Sequence, residues 1–509
     1  MRLLFAAAEV LGFAKTGGLA DVTGSLPPAL AELGHECAVI MPLYRCVRVG
    51  NQPLEPLDLP LEIPIGDRIA GGRLWRTTLP GTSIPVYLIE HQEYFERDDP
   101  AFKRGLYTFT ASDRSLRDYP DNCERYTYFC RAVLEALHLL DFWPDVIHAH
   151  DWQTGLIPVY LSEVYHKHPD GALRRRYQAI RALFTIHNLA YQGSFPADQY
   201  PLIGLDWRLF NYLQLEAYDR LNFLKAGIIF SNLINTVSPT YAREIQTPYF
   251  GWGLDSVLRE RRTRLFGIVN GVDYNVWKTT DNPRLPASYS ADAVAPGKPL
   301  CKAALQRQSN IEIEPRTPLF GVVARLAEQK GIDLIVKVAN AFLQQGSQLV
   351  FLGDGDPVYK QMLFDLRARF PARVSLTFDF DEGLAHLIEA GADMFLMPSL
   401  FEPSGLNQLY SMRYGTLPVV RATGGLADTV VDTNPATLTN RTATGFSFGM
   451  PAPEPFWAAI QRALVLYWGE PTTWRQVMRT AMLADWSWHR SAADYEGLYL
   501  KMVGPAKLN

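Results

Sequence analysis

Cysteine is scarce in this chain of 509 residues: there are five, at Cys37, Cys46, Cys123, Cys130 and Cys301, and no two stand in a Cys-x-x-Cys spacing. An odd, scattered set argues against a disulfide framework and against structural zinc, so reduced thiols and a cytoplasmic location are expected. Long apolar runs are missing too. No stretch reaches the roughly 20 residues that a bilayer-spanning helix needs. The opening apolar run at 2–8 is short and Glu9 interrupts it, so it reads as a first buried strand rather than a signal segment. Charge of one sign is also in short supply: the net charge is −4, which gives no footing for nucleic acid or an anionic membrane. What the chain does have is apolar mass, 48% hydrophobic against 20% charged, over a length that suits two or more domains.

The apolar runs alternate with helical spacing in two series. The first has strands at 3–8, 37–41, 145–151, 182–188, 233–237 and 265–272, with helices expected after the loop 15–21, at 122–140 and at 154–164. Between them, 51–89 breaks into short β-like pieces around Pro and Gly, which suggests a local antiparallel insertion. Residues 98–121, rich in Arg and Tyr, read as a surface loop. The second series has strands at 319–324, 348–352, 374–378, 394–397 and 419–421, each followed by a helical stretch. The fold class expected is α/β, with two doubly wound, Rossmann-like domains. Their bounds are 1–276 for the first, 277–298 for a Pro-, Ser- and Asp-rich linker and 299–485 for the second. A final helix at 486–509 is expected to pack back on the first domain.

Several strand ends carry chemistry. The stretch 394–415 is an apolar strand, a turn with Pro398, Ser399, Pro403 and Gly405, and then a helix. Such a turn aims helix-end N–H groups at an anion, and Glu402 places a carboxylate beside it, a pairing suited to a phosphorylated sugar. Arg325 and Lys330 follow the strand at 319–324. In the departure of a nucleoside diphosphate without a metal, such cations stabilise the growing negative charge. Thr16-Gly-Gly-Leu-Ala-Asp21 recurs as Thr423-Gly-Gly-Leu-Ala-Asp428, but only the first copy follows a lysine, Lys15, and so only it is a strong phosphate-loop candidate. His148 and His150 share a strand face without a third metal ligand at suitable spacing, and Asp379-Phe-Asp381 looks like a metal-holding Asp pair that the nearby cations make unnecessary. No metal and no cofactor are expected.

Taken together these motifs resemble the bacterial glycogen synthase and plant starch synthase family over nearly the whole chain. The segments carrying the resemblance are Lys15-Thr-Gly-Gly-Leu-Ala-Asp21, His148-Ala-His-Asp-Trp152, Thr185 to Gly193, Asn270-Gly-Val-Asp273, Arg325 to Gly331 and Glu402 to Gly425. The family implies a B-type glycosyltransferase architecture, two facing domains with a deep interdomain cleft, and retaining transfer of glucose from ADP-glucose to glycogen or another α-1,4-glucan. It implies catalytic roles for Glu402 (the carboxylate on the transferred glucose), for Arg325 and Lys330 (on the departing diphosphate) and for His187. Lys15, with the Gly17 and Gly18 amides, matches the donor-phosphate loop, and Asp21 lies near it. Asp151 and Asn188 match positions on the glucose and acceptor side. The amides of Gly405, Leu406 and Asn407 match phosphate contacts.

Three positions depart from the pattern. Phe380 stands where a Tyr usually stacks on adenine, keeping the ring but losing the hydroxyl. Ser404 replaces the usual Cys between Pro and Gly. Tyr410 stands where broader relatives carry a second Glu, which favours the bacterial synthases over sucrose- or trehalose-type enzymes. Retention implies a covalent intermediate or front-face departure within an ion pair, and no nucleophile is evident for the former. Two other functions fit parts of the sequence: a sugar-nucleotide epimerase on the same architecture, and a non-catalytic glucan-binding protein.

Overall fold

The computed structural model describes residues 1–97, 105–111, 116–295 and 297–504. The chain divides into two compact units: Met1–Val237, Ala242–Gly271 and Trp488–Asn509 form one, and Ser238–Tyr241 with Val272–Ser487 form the other.

The first unit is built on a nine-stranded sheet in the order Leu265–Gly267, Leu233–Thr236, Arg181–Ile186, Val146–His150, Arg2–Ala6, Glu36–Pro42, Pro85–Glu90, Arg68–Thr78, Glu55–Ile65. The seven strands from Leu265–Gly267 to Pro85–Glu90 run parallel. Leu3, Leu4, Phe5 and Ala6 are all buried, which is how a parallel strand covered on both faces reads. From Arg2–Ala6 the chain first adds strands on one side, then returns to its other side with Val146–His150. The order therefore reverses between those two strands, and in doubly wound sheets ligands bind beyond the carboxyl ends at such a reversal.

Two expectations for this unit are corrected. Residues 51–89 are antiparallel as expected but not in short pieces: Glu55–Ile65 and Arg68–Thr78 are eleven-residue strands that add antiparallel onto Pro85–Glu90 and extend the main sheet. Leu61, Ile63 and Ile65 alternate inward, and Pro56, Pro60 and Pro64 sit on the outermost strand, where a missing N–H costs the ladder least. Of the expected loop 98–121, residues 98–104 and 112–115 lie outside the described residues. The remainder is not plain surface: Thr108–Thr110 pairs with Leu116–Asp118, and Leu106 is buried. The helix Trp488–Val503 belongs to this unit and buries Tyr495 and Tyr499.

The second unit holds a six-stranded, wholly parallel sheet in the order Val374–Thr377, Gln348–Leu352, Leu319–Val323, Met394–Met397, Leu417–Arg421, Phe446–Phe448. The last strand, three residues long, is too short to show a period in the sequence. Its order reverses between Leu319–Val323 and Met394–Met397, the strands followed by Arg325 and by Glu402. The stretch 277–298 is packed on this unit. Trp277 stacks on Tyr410 at 3.6 Å and on His386 at 4.1 Å, Tyr289 is buried, and Lys298 donates to Ala390 O at 2.9 Å. Expected strand 265–272 ends early, at Gly267, and Val272 N–H instead donates to Trp486 O at 2.7 Å in the second unit.

Candidate functional site

In the second unit the site is assembled at the sheet's reversal. Strand Met394–Met397 ends in the turn that carries Glu402, which is 6% exposed. Leu319–Val323 leads through Arg325 into a 3-10 turn, Glu328–Lys330, and Gly331 then opens the helix Ile332–Gln344. Gly331 has φ +64°, and a Cβ there would lie 2.4 Å from Pro398 O, so only glycine lets this loop press against the Glu402 turn. The result is an ion pair between residues far apart in sequence: Lys330 Nζ donates to Glu402 Oε2 at 2.6 Å, and Ser399 Oγ donates to the same oxygen at 3.0 Å. Arg325 is exposed and makes no ion pair among the described residues.

The second Thr-Gly-Gly-Leu-Ala-Asp copy supports this turn from behind. Gly425 N–H donates to Glu402 O at 3.0 Å, and a Cβ on Gly425 would meet Ser404 O at 2.0 Å. Gly405 has φ +68°, Leu406 is the N-cap of helix Asn407–Arg413, and the Asn407 side chain is committed to Val323 O at 2.6 Å. Phe380 lies beyond the edge strand Val374–Thr377 with 83% of its surface exposed, an unobstructed ring face. Its flanking carboxylates are used locally: Asp379 accepts from Phe380 N–H, and Asp381 caps the helix Glu382–Gly391 by accepting from Leu384 N–H. Among the described residues no group of three or more His, Cys, Asp or Glu is arranged to hold a metal ion.

In the first unit the Lys15 loop lies beyond Arg2–Ala6. Lys15 Nζ pairs with Asp21 Oδ1 at 2.6 Å, and Gly18 opens the helix Gly18–Glu32. The loop is pinned from below by Glu9, which is buried and went unassigned in the sequence. Its carboxylate accepts from Thr16 N–H, from Thr16 Oγ at 2.7 Å, from Gly17 N–H at 3.3 Å and from Tyr107 OH at 2.8 Å. The only local signal for Glu9 was a carboxylate ending an apolar strand; its partners could not be read.

Beside it, strand Val146–His150 ends at Asp151, whose φ of 57° and ψ of −177° fall in a region that is almost exclusively glycine's. Such strain, about 1–3 kcal/mol, persists where the surroundings hold it, and it gathers at functional sites. Asp151 Oδ1 accepts from His187 N–H at 2.7 Å. Burial raises the Asp151 carboxyl to about 8, against the pull of the His187 and Asn188 backbone N–H groups, so at neutral pH it carries a proton. Asn188 turns its own Oδ1 to Ala190 N–H at 3.1 Å. His187 is buried, which lowers it to about 3. His148 and His150 offer no metal pair: His148 bonds Tyr499 OH at 2.9 Å and Thr185 Oγ1 at 2.7 Å, and His150 Nδ1 faces His187 Nε2 at 3.0 Å.

Residues 2–260 match the family described as starch synthase catalytic domain, and residues 306–467 match glycosyl transferases group 1. The chain is 45% identical over 504 residues to a glycogen synthase of Syntrophotalea carbinolica, covering 99% of both chains. It is 44% identical over 505 residues to one from Anaeromyxobacter sp. (strain Fw109-5), covering 99% of this chain and 100% of that one. The chain belongs to the glycogen and starch synthase family. A solved member, the catalytic domain of starch synthase IV from Arabidopsis thaliana bound to ADP and acarbose, matches with TM-score 0.88 at 34% identity over 99% of each chain. The two α/β units are thus those of a B-type glycosyltransferase.

Proposed function

We propose that this chain transfers glucose from ADP-glucose to the non-reducing end of an α-1,4-glucan such as glycogen, with retention of configuration. The observation that carries the reading is the Lys330–Glu402 pair at the second unit's sheet reversal, with Arg325 exposed just beyond Leu319–Val323 and without an ion pair among the described residues. Glu402, buried in its turn, accepts hydrogen bonds from the glucose hydroxyls. Arg325 and Lys330 face the diphosphate, whose charge grows as the C1–O bond breaks and the electron pair leaves with ADP; cations placed where that charge develops stabilise the change. The acceptor's 4-hydroxyl oxygen forms the new bond to C1 and gives its proton to the departing phosphate. We assign Lys15 and the amides of Gly17 and Gly18 to the donor phosphates, with the amides of Gly405, Leu406 and Asn407; Asp21 lies near that loop and pairs with Lys15. Phe380 takes the adenine face, and Asp151, His187 and Asn188 take the glucose.

ADP bound to the Arabidopsis relative and the glycogen synthase names of the full-length relatives support this donor and acceptor. The odd number and scattered spacing of the five cysteines support a cytoplasmic assignment. The test is initial rates with ADP-glucose and UDP-glucose on a glycogen primer, following labelled glucose. Incorporation from ADP-glucose that Glu402→Ala lowers by orders of magnitude is the expected result. Epimerised sugar nucleotide without chain growth, or glycogen binding without ADP release, would replace it.

A further inference from the structure

His150 ends the strand Val146–His150 and is fully buried, while His187 stands just beyond the neighbouring strand Arg181–Ile186. Their nitrogens, His150 Nδ1 and His187 Nε2, are 3.0 Å apart. Burial holds both rings well below the ordinary histidine range, so both are neutral at neutral pH. Two neutral imidazoles in this contact place one proton between them: one nitrogen donates and the other is bare. The tautomers are therefore locked together. If His150 donates from Nδ1, His187 must carry its proton on Nδ1; if His187 donates from Nε2, His150 must carry its proton on its own Nε2. That last atom is buried and meets no hydrogen-bond partner among the described residues. A proton on it would be an orphaned donor, which folded proteins avoid more strictly than an unpaired acceptor. His148 does not disturb the arrangement, since Tyr499 and Thr185 take both its nitrogens.

We propose that His150 is a positioning residue for His187. By donating from Nδ1 it holds the His187 ring as the Nδ1–H tautomer. His187 Nδ1, which has no hydrogen bond among the described residues, then offers an N–H to an oxygen of the bound sugar nucleotide and does not serve as a base there. The Asp151 carboxyl fixes the backbone of the same residue, so strand end 150–151 sets both the ring and the main chain of His187. The catalytic consequence rests on His187 lying at the sugar, as proposed above; the tautomer itself does not.

Two measurements on the full chain test this. In long-range proton–nitrogen spectra of histidine-labelled protein without substrate, His187 is identified by its loss in His187→Gln. A protonated Nδ1 and a bare Nε2 on that ring are expected, becoming a mixture in His150→Leu; a proton on Nε2 in the unaltered chain overturns the proposal. In glucose transfer, His150→Leu is expected to lower kcat roughly 10-fold, the worth of about one hydrogen bond, with KM for ADP-glucose nearly unchanged. His150→Asn, whose amide N–H reaches the place of the imidazole Nδ1, should recover most of it. Equal losses in both variants, or a loss confined to KM, refute the positioning role. Because the spectra need no turnover, a wrong tautomer is told apart from a chain that does not transfer glucose.

Discussion

Lys330 Nζ stands 2.6 Å from Glu402 Oε2, and the carboxylate of that pair is the more deeply covered partner, with side-chain exposures of 20% for the lysine and 7% for the glutamate. The asymmetry matters because removing the partner of a covered charge costs more than removing the covered charge itself. Lys330→Met should destabilise the second unit by about 3 kcal/mol, since it leaves a buried carboxylate unpaired. Glu402→Gln should cost less, because the lysine can turn to water. In Lys330→Met/Glu402→Gln stability should largely return while glucose transfer stays at least 100-fold down. Denaturation midpoints and labelled-glucose incorporation on the three variants check both halves; a double variant as unstable as Lys330→Met would show that the pair is not coupled.

Gly425 bears on the same turn through backbone alone. Adding one methyl there would place it 2.0 Å from Ser404 O, whereas a Cβ on Gly449 meets nothing within 4 Å. Gly425→Ala is expected to displace the turn that carries Glu402, and a shift of about 1 Å in a reacting group can cost on the order of 100-fold in rate. Gly449→Ala should leave turnover and melting temperature unchanged. Equal activity in the two variants would remove Gly425 from any role in placing Glu402.

How legible these features were depends on range along the chain. Gln348–Leu352 and Met394–Met397 could be placed because strands buried on both faces are continuous apolar runs. The Glu402 turn was readable because strand, turn and helix are adjacent. The contact between Lys330 and Glu402 was not, since it depends on strand order, with Leu319–Val323 lying beside Met394–Met397. The role of Glu9 was hidden for the same reason: Tyr107, one of its partners, is separated from it by 98 positions. Pro56, Pro60 and Pro64 suggested broken strands because sequence alone does not tell an edge strand from a central one. The polar character of 277–298 hid two anchors, Trp277 and Tyr289, that hold it to the second unit.

Glu9 gives the Lys15 loop its shape, so its removal should act on donor affinity. Glu9→Ala takes away the acceptor for Thr16, Gly17 and Tyr107 together, leaving the loop's N–H groups to find water. With Lys15 on the donor phosphates, KM for ADP-glucose is expected to rise about 10-fold or more. Tyr107→Phe deletes a single hydrogen bond, about 1 kcal/mol, and should raise KM only about fivefold. Steady-state kinetics at saturating glycogen reads both, and an unchanged KM in Glu9→Ala would detach the loop from the donor.

Asp151 makes stability depend on pH in a direction opposite to its histidine neighbours. Its carboxyl rises from the ordinary 3.8 to about 8 on burial, so between those values the folded chain keeps a proton that the unfolded chain releases. Its contribution is therefore fully present below about pH 4 and is lost as pH rises through 8. His148, His150 and His187 stay neutral in the fold well below the ordinary 6.5, so they take stability away as pH falls beneath that value. Asp151→Asn removes only the first effect and keeps a side chain of the same shape and branching at that backbone position. The stability of the variant relative to the unaltered chain should grow from pH 5 to pH 8 by about 1.4 kcal/mol per pH unit, while both share the acid loss below pH 6.5. Denaturant midpoints at four pH values across that range measure it. A difference that stays flat would mean that Asp151 is ionised in the fold and accepts hydrogen bonds from the sugar, where a protonated carboxyl would donate one.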